Sequence, residues 1–123
     1  MPTETNGKLM SKSSELAEMK QSLHELVGEA ENLEGFAGYV EAAESPGALD
    51  TKTKELMSLA VGCAARCEHC VLWHLDGALE AGATREEVIE TLEVAVLMGG
   101  GPAMTYAIEA YEILEELDAE KDA

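Results

Sequence analysis

The stretch that decides how this chain folds is Glu55-Leu-Met-Ser-Leu-Ala-Val-Gly-Cys63-Ala-Ala-Arg66-Cys67-Glu-His69-Cys70-Val-Leu-Trp73-His74. Leu56, Leu59, Ala60, Cys63 and Ala64 recur at helical spacing, which predicts a helix from about Thr51 to Ala65 with that stripe buried. A further helix carries Cys70, Trp73, His74 and Leu79 and stops at Ala81-Gly82. One continuous helix would hold Glu55 about 18 Å from Cys67, at ~1.5 Å per residue. A turn near Arg66 instead folds the two helices into an antiparallel pair. Glu55 lies 11 residues before that turn and His74 lies 8 after it. Those offsets put the two side chains within about 5 Å of the same level. Neither Gly nor Pro marks the turn, and Gly62 falls early for it.

Outward from this pair the pattern stays helical. Ser13 or Ser14 can cap a first helix, with Leu16, Met19, Leu23, Leu26, Val27 and Ala30 on one face. Residues 32–43 read as a shorter second helix with Leu33, Phe36, Ala37 and Val40 inward, closed by the turn Ser45-Pro46-Gly47. Thr84-Arg85-Glu86-Glu87 matches a capping box and starts a fifth helix, whose second half, Val94 to Met98, is apolar on every side. A chain this small hides such a helix best with help from a neighbouring subunit. Gly99-Gly100-Gly101 ends it, and Pro102 suits the first position of a sixth helix with Met104, Ala107, Ile108, Tyr111 and Leu114 inward. The pattern contains no strand and no internal repeat. The expectation is an all-α bundle of about six helices: one domain at 13–118, a loose arm at 1–12 and an acidic end at 119–123 that frays.

Length and charge narrow the function. The 123 residues suit one domain, and 46% hydrophobic content supplies a core. Five aromatic residues leave Leu, Ala, Val and Met to fill it, which favours helix on helix. The 25 acidic residues outnumber the 8 basic ones, for a net charge of -17. Such a surface repels phosphate backbones and anionic membranes, so no nucleic acid and no membrane partner is expected. It is also the kind of surface expected in a high-salt organism. No apolar run reaches the ~18–20 residues that span a bilayer. The N-terminal dozen lacks an apolar signal core, so the expected location is cytoplasmic. Three cysteines within eight residues, 63, 67 and 70, are no secreted disulfide framework; they read as redox chemistry or a metal site in a reducing compartment.

The C-x-x-C pair Cys67/Cys70 can close a disulfide at a helix start, where unpaired N–H groups also stabilise a thiolate. His74, one turn past Cys70, can take or return the thiol proton. A buried Glu55 can orient that imidazole, completing a nucleophile–base–orienter set. Cys63 sits on the apolar stripe and reads as a small buried apolar residue.

The combination E-x11-C-x-H-C-x3-H, carried by Glu55, Cys67, His69, Cys70 and His74, resembles the carboxymuconolactone decarboxylase / AhpD-like family. The run Ala81-Gly82-Ala83-Thr84-Arg85-Glu86-Glu87 before an apolar helix and a Gly/Pro break adds to the likeness, which covers roughly residues 30–115. The resemblance implies an all-α fold assembled as trimers or hexamers. It implies thiol-dependent peroxidase or disulfide-reductase activity without a cofactor. Cys70 would couple to a Glu55–His74 proton relay, Cys67 would be its disulfide partner, and His69 would lie beside them. The partners are then a peroxide or disulfide substrate and a dithiol or protein reductant. AhpD has two related helical halves where this chain has about one, so its physiological partners are not carried over. The family's lactone decarboxylases lack the cysteine pair, so Cys67 and Cys70 argue against decarboxylation.

Other readings stay open. Cys67, Cys70 and His74, with Glu55 or His69, have the chemistry of a tetrahedral zinc site, though all the close ligands come from one short segment. The spacing Cys63-x3-Cys67-x2-Cys70 is formally that of radical-SAM enzymes, but the helical context and short chain do not suit them. A structural assembly protein with a vestigial pair is a further reading. Within the redox reading, Cys67 could instead be the attacking thiol.

Overall fold

A computed structural model describes residues 10–122, with side chains for residues 10–120. Most of the arm expected at 1–12 lies outside them. The described residues form α1 (Lys12–Glu29), a 3-10 turn (Glu31–Leu33), α2 (Glu34–Glu44), α3 (Thr51–Ala64), α4 (Glu68–Glu80) and α5 (Arg85–Asp122), with no strand among them. The all-α expectation holds. The chain divides between Ala43 and Glu44 into two compact units, where the sequence suggested one domain.

In the first unit, Ser11 rather than Ser13 or Ser14 caps α1, its hydroxyl accepting from the Ser14 N–H at 3.1 Å. The stripes expected to face inward are largely uncovered. Leu16 is the only buried residue of α1, and Phe36 and Tyr39 are 66% and 68% exposed.

The second unit holds the core. Asp50 caps α3, its carboxylate accepting from the Thr53 N–H at 2.8 Å. The buried face of α3 is Glu55, Leu59, Gly62 and Cys63, rotated from the expected stripe so that Leu56 is half-covered and Ala64 exposed. Val71, Leu72, Leu75, Ala78 and Leu79 of α4 are buried. Full burial of Leu59, Leu75, Val71, Val88, Ile113 and Leu114 stabilises the unit by about 1.5–3 kcal/mol per side chain.

The turn between α3 and α4 closes without glycine. Cys67 N–H donates to Gly62 O at 2.9 Å and Arg66 N–H to Cys63 O at 3.1 Å. This is the Schellman pattern, with Arg66 in the left-handed position at φ 58°. Gly62 is therefore not a turn marker. A Cβ on it would lie 3.2 Å from Cys70 Cβ, so its role is close helix approach. The same motif ends α4, but there Gly82 takes the left-handed place at φ 98°.

The fifth and sixth helices expected from the sequence both form; they run on as the two arms of α5 and are separated, within the expected glycine run, by the non-helical Gly100 (φ 71°, ψ -157°). This conformation is essentially reserved for glycine, and it folds the helix back on itself. Arg85 consequently meets residues far along the chain. It pairs with Glu115, pairs with Asp118 at 3.3 Å, and lies 5.6 Å over the Tyr111 ring. The capping box forms: Thr84 N–H donates to Glu87 Oε1 at 2.9 Å, and Glu87 N–H to Thr84 Oγ1 at 3.1 Å. Lys52 of α3 reaches the other oxygen of Glu87 at 3.0 Å. The buried face of the second arm is Ala103, Ala107, Ala110, Ile113, Leu114 and Leu117; Met104, Ile108 and Tyr111 are exposed. In the apolar half of the first arm, Ala95 is buried, while Leu97 and Met98 are 77% and 78% exposed. The acidic end, expected to fray, is helical to Asp122.

Candidate active site

The α3–α4 hairpin brings together residues 19 positions apart. His74 Nδ1 lies 2.7 Å from Glu55 Oε1. An ionised carboxylate only accepts, so Nδ1–H donates and Nε2 is left as the basic nitrogen. Glu55 is 7% exposed, the one buried charged residue among those described, and its partner His74 is half-buried. A buried carboxylate with one short bond to an imidazole holds that ring in a single tautomer and orientation.

Gly77, one turn past His74, makes room for the pair. A Cβ there would lie 2.7 Å from Glu55 Cδ and Oε1. Sequence reasoning passed over Gly77. The available signal was a helical glycine three residues after the candidate base, on the same face.

Cys67 and Cys70 are joined by a disulfide across the first turn of α4, with Cα atoms 5.2 Å apart. Cys67 is also the N-cap, its sulfur accepting from the Cys70 N–H at 3.2 Å. Both cysteines are half-buried, so the pair is reachable from outside. Cys63 is free and fully buried. Burial, aided by the nearby Glu109 carboxylate, pushes its thiol up to about 11, so it stays protonated at neutral pH. His69 is exposed and stands outside the Glu55–His74 pair, and Trp73 is half-buried.

Cys67 and Cys70, two ligands of the alternative zinc reading, are here bonded to each other. The metal-ligating types that do converge are Glu44, Glu55 and His74, whose ligand atoms lie within 4.8 Å of one another. Such a group can hold a shared proton or a divalent cation. Glu44 was missed in the sequence because no helical spacing relates it to the motif. It ends α2 and reaches α3 across the Ser45-Pro46-Gly47 turn, its carbonyl accepting from Thr51 Oγ1 at 2.9 Å. Burial, then the negative Glu55, raise its carboxyl above the ordinary range, and His74 partly offsets them.

Comparison with known proteins agrees with this architecture. The family model for the carboxymuconolactone decarboxylase family matches residues 30–112, and the chain belongs to that family. An uncharacterised Cupriavidus necator protein is 38% identical over 87 residues, spanning 71% of this chain and 77% of that one. A crystal structure of a carboxymuconolactone decarboxylase family protein from Legionella pneumophila is 42% identical, with a TM-score of 0.78 over 85% of this chain and 95% of that one. Another, from Thermotoga maritima, is 34% identical, with a TM-score of 0.83 over 88% and 93%. That protein is described as having a possible part in the antioxidative response. Among the described residues, no helix is long and apolar enough to cross a membrane.

Proposed function

We propose that this protein is a thiol-dependent oxidoreductase that reduces a hydroperoxide or a disulfide through Cys67 and Cys70. The observation that carries the reading is the Glu55–His74 hydrogen bond of 2.7 Å, formed on the hairpin whose turn leads into the Cys67–Cys70 disulfide. A structural scaffold has no need of a buried carboxylate aimed at a histidine one turn from a redox pair. The antioxidative context of the Thermotoga maritima relative is consistent with it.

In the reduced protein Cys70 is the activated thiol. Its proton passes to His74, and Glu55 holds the imidazole. With a hydroperoxide, the Cys70 thiolate attacks the outer oxygen and the O–O bond breaks. The sulfur becomes a sulfenic acid, keeping the hydroxyl hydrogen of the outer oxygen, and the departing alkoxide takes a proton from His74 to leave as an alcohol. Cys67 then attacks the Cys70 sulfur, water leaves, and the disulfide forms. With a disulfide substrate, the same attack gives a mixed disulfide, which Cys67 resolves. A dithiol restores the pair by the reverse exchange.

The test is the rate of Cys70 alkylation across pH, together with turnover of a hydroperoxide and of a small disulfide. His74→Ala is expected to raise the pH at which Cys70 alkylates and to cut turnover by about 10²–10⁴. Glu55→Gln should slow turnover while the disulfide still forms, and Cys67→Ala should stall as a sulfenate or mixed disulfide. If Cys67 alkylates faster and His74→Ala leaves its profile unchanged, the N-terminal cysteine is the attacking thiol. Wild-type protein that turns over neither substrate would overturn the reading itself.

A further inference from the structure

The turn that leads into the disulfide carries an oddity of conformation and one of charge, both at Arg66. At the matching position after α4 stands Gly82, which takes a positive φ freely. Arg66 holds φ 58° with a full side chain, at a cost of about 1–2 kcal/mol. Such a residue persists where something other than backbone ease selects it.

The charge is the second observation. The chain has 8 basic residues against 25 acidic ones, so cations are expected to find carboxylate partners. Lys12, Lys52 and Arg85 are in ion pairs, Lys54 donates to Ser45 O at 2.6 Å, and Lys20 is also engaged. Arg66 alone among the described Lys and Arg side chains has no hydrogen bond or ion pair with another described residue. It is exposed, and it is the residue bonded directly to Cys67.

We propose that Arg66 is a specificity-determining residue: its exposed guanidinium receives the carboxylate of an anionic thiol or disulfide that exchanges with the Cys67–Cys70 pair. The inference rests on the reading of that pair as a thiol-exchanging centre. Guanidinium and carboxylate match as fork to fork. Elsewhere the net charge of -17 repels such a molecule, so the cation carried by the residue next to Cys67 favours docking at the pair. In the exchange, the Cys70 thiolate attacks one sulfur of the substrate RSSR and an RS⁻ leaves. Cys67 attacks the Cys70 sulfur and the second RS⁻ leaves. Two electrons pass to the substrate, and the two departing thiolates take up the protons that the cysteines gave.

The experiment is single-turnover oxidation of the reduced protein. The oxidants are 3,3′-dithiodipropionate, which carries two carboxylates, and bis(2-hydroxyethyl) disulfide, which is neutral. Quenched thiol labelling gives the two second-order rate constants at fixed ionic strength. Arg66→Gly suits the left-handed turn better than arginine, so the fold is not at risk. The anionic-to-neutral ratio is expected to fall about threefold to fivefold in Arg66→Gly, the upper range of an exposed ion pair. It should fall further in Arg66→Glu and fall only partly in Arg66→Lys, which keeps the charge and loses the fork. A ratio unchanged in Arg66→Gly and Arg66→Glu, or two constants that fall together, overturns the proposal. Absent catalytic turnover with a ratio that still shifts as expected removes the preceding reading and leaves this one standing.

Discussion

Two antiparallel helix pairs build the core unit, and they are made on opposite principles. The folded-back α5 turns on Gly100, in a conformation glycine takes without strain. Ile89, Leu92, Val96, Met104 and Ala107, with Glu93 as the one charged neighbour, line a largely apolar space on its two arms, and its charged ties, Arg85 to Glu115 and Asp118, are exposed. The α3–α4 hairpin turns on an arginine and places a carboxylate–imidazole pair in its interface, with glycine instead of bulk at Gly62 and Gly77. A chain optimised for stability alone would use the first recipe twice. Burying Glu55 costs desolvation that a hydrogen bond to a half-buried histidine only partly returns. The second pair is accordingly the one built around chemistry, and the two should respond differently to substitution.

The largest contrast is expected at Gly77. A methyl group in Gly77→Ala would sit 2.7 Å from the Glu55 carboxylate, so the carboxylate must move. Overpacking costs about 1–3 kcal/mol, while alanine in place of helical glycine returns roughly 1 kcal/mol. Net stability therefore falls only modestly. Turnover should fall about 10²-fold, the usual consequence of moving a positioned group by about 1 Å. Thermal melts beside steady-state kinetics check this. Full activity in Gly77→Ala would mean that the Glu55–His74 geometry does not matter to the reaction.

Gly100→Ala should do the reverse. A side chain at φ 71°, ψ -157° costs about 1–3 kcal/mol, and the arms of α5 lose their fold-back point. Urea unfolding should register that loss, while the Cys70 alkylation rate of the folded protein stays within about twofold of wild type. A large change in alkylation would show that the apolar pair supports the site directly.

How much of this difference was visible in the sequence depends on the kind of signal. The Thr84–Glu87 capping box and the Gly99–Pro102 break declare themselves by residue type, because caps and breaks select few residues. The level matching of Glu55 and His74 followed from helix rise alone. Residue type could not mark the Arg66 turn, because its Schellman bonds are backbone to backbone and its left-handed residue is not glycine. The faces of α3 and of the second arm of α5 were rotated from the expected stripes. Small residues such as Gly62, Ala103 and Ala110 carry the close contacts there, and hydrophobic periodicity weighs them little. Glu44 lay beyond sequence reasoning, since a turn rather than a helical period delivers it.

The smallest effect, and the finest test of the contrast, is the pH dependence of Glu44. Its neighbours in the site are Glu55 on α3 and His74 on α4. Burial and the Glu55 charge raise its carboxyl above the ordinary 4.5, so the folded chain holds this proton where the unfolded chain has released it. By linkage, stability falls with rising pH wherever the folded state binds more protons. The contribution of Glu44 is therefore fully present below pH 4.5 and is lost as pH rises through its raised folded value. Glu44→Gln has no proton to lose, so it should gain stability relative to wild type across that window and hold a constant offset above it. The gain is small, because Glu44 is only half-covered and solvent screens it. Urea unfolding of both proteins from pH 4 to 8 measures the difference directly. A flat difference would leave Glu44 uncoupled from Glu55, and a difference of opposite sign would mean that His74 outweighs the second carboxylate. Gly100→Ala, measured alongside, should run parallel to wild type over the same range, because the turn it alters carries no titrating group.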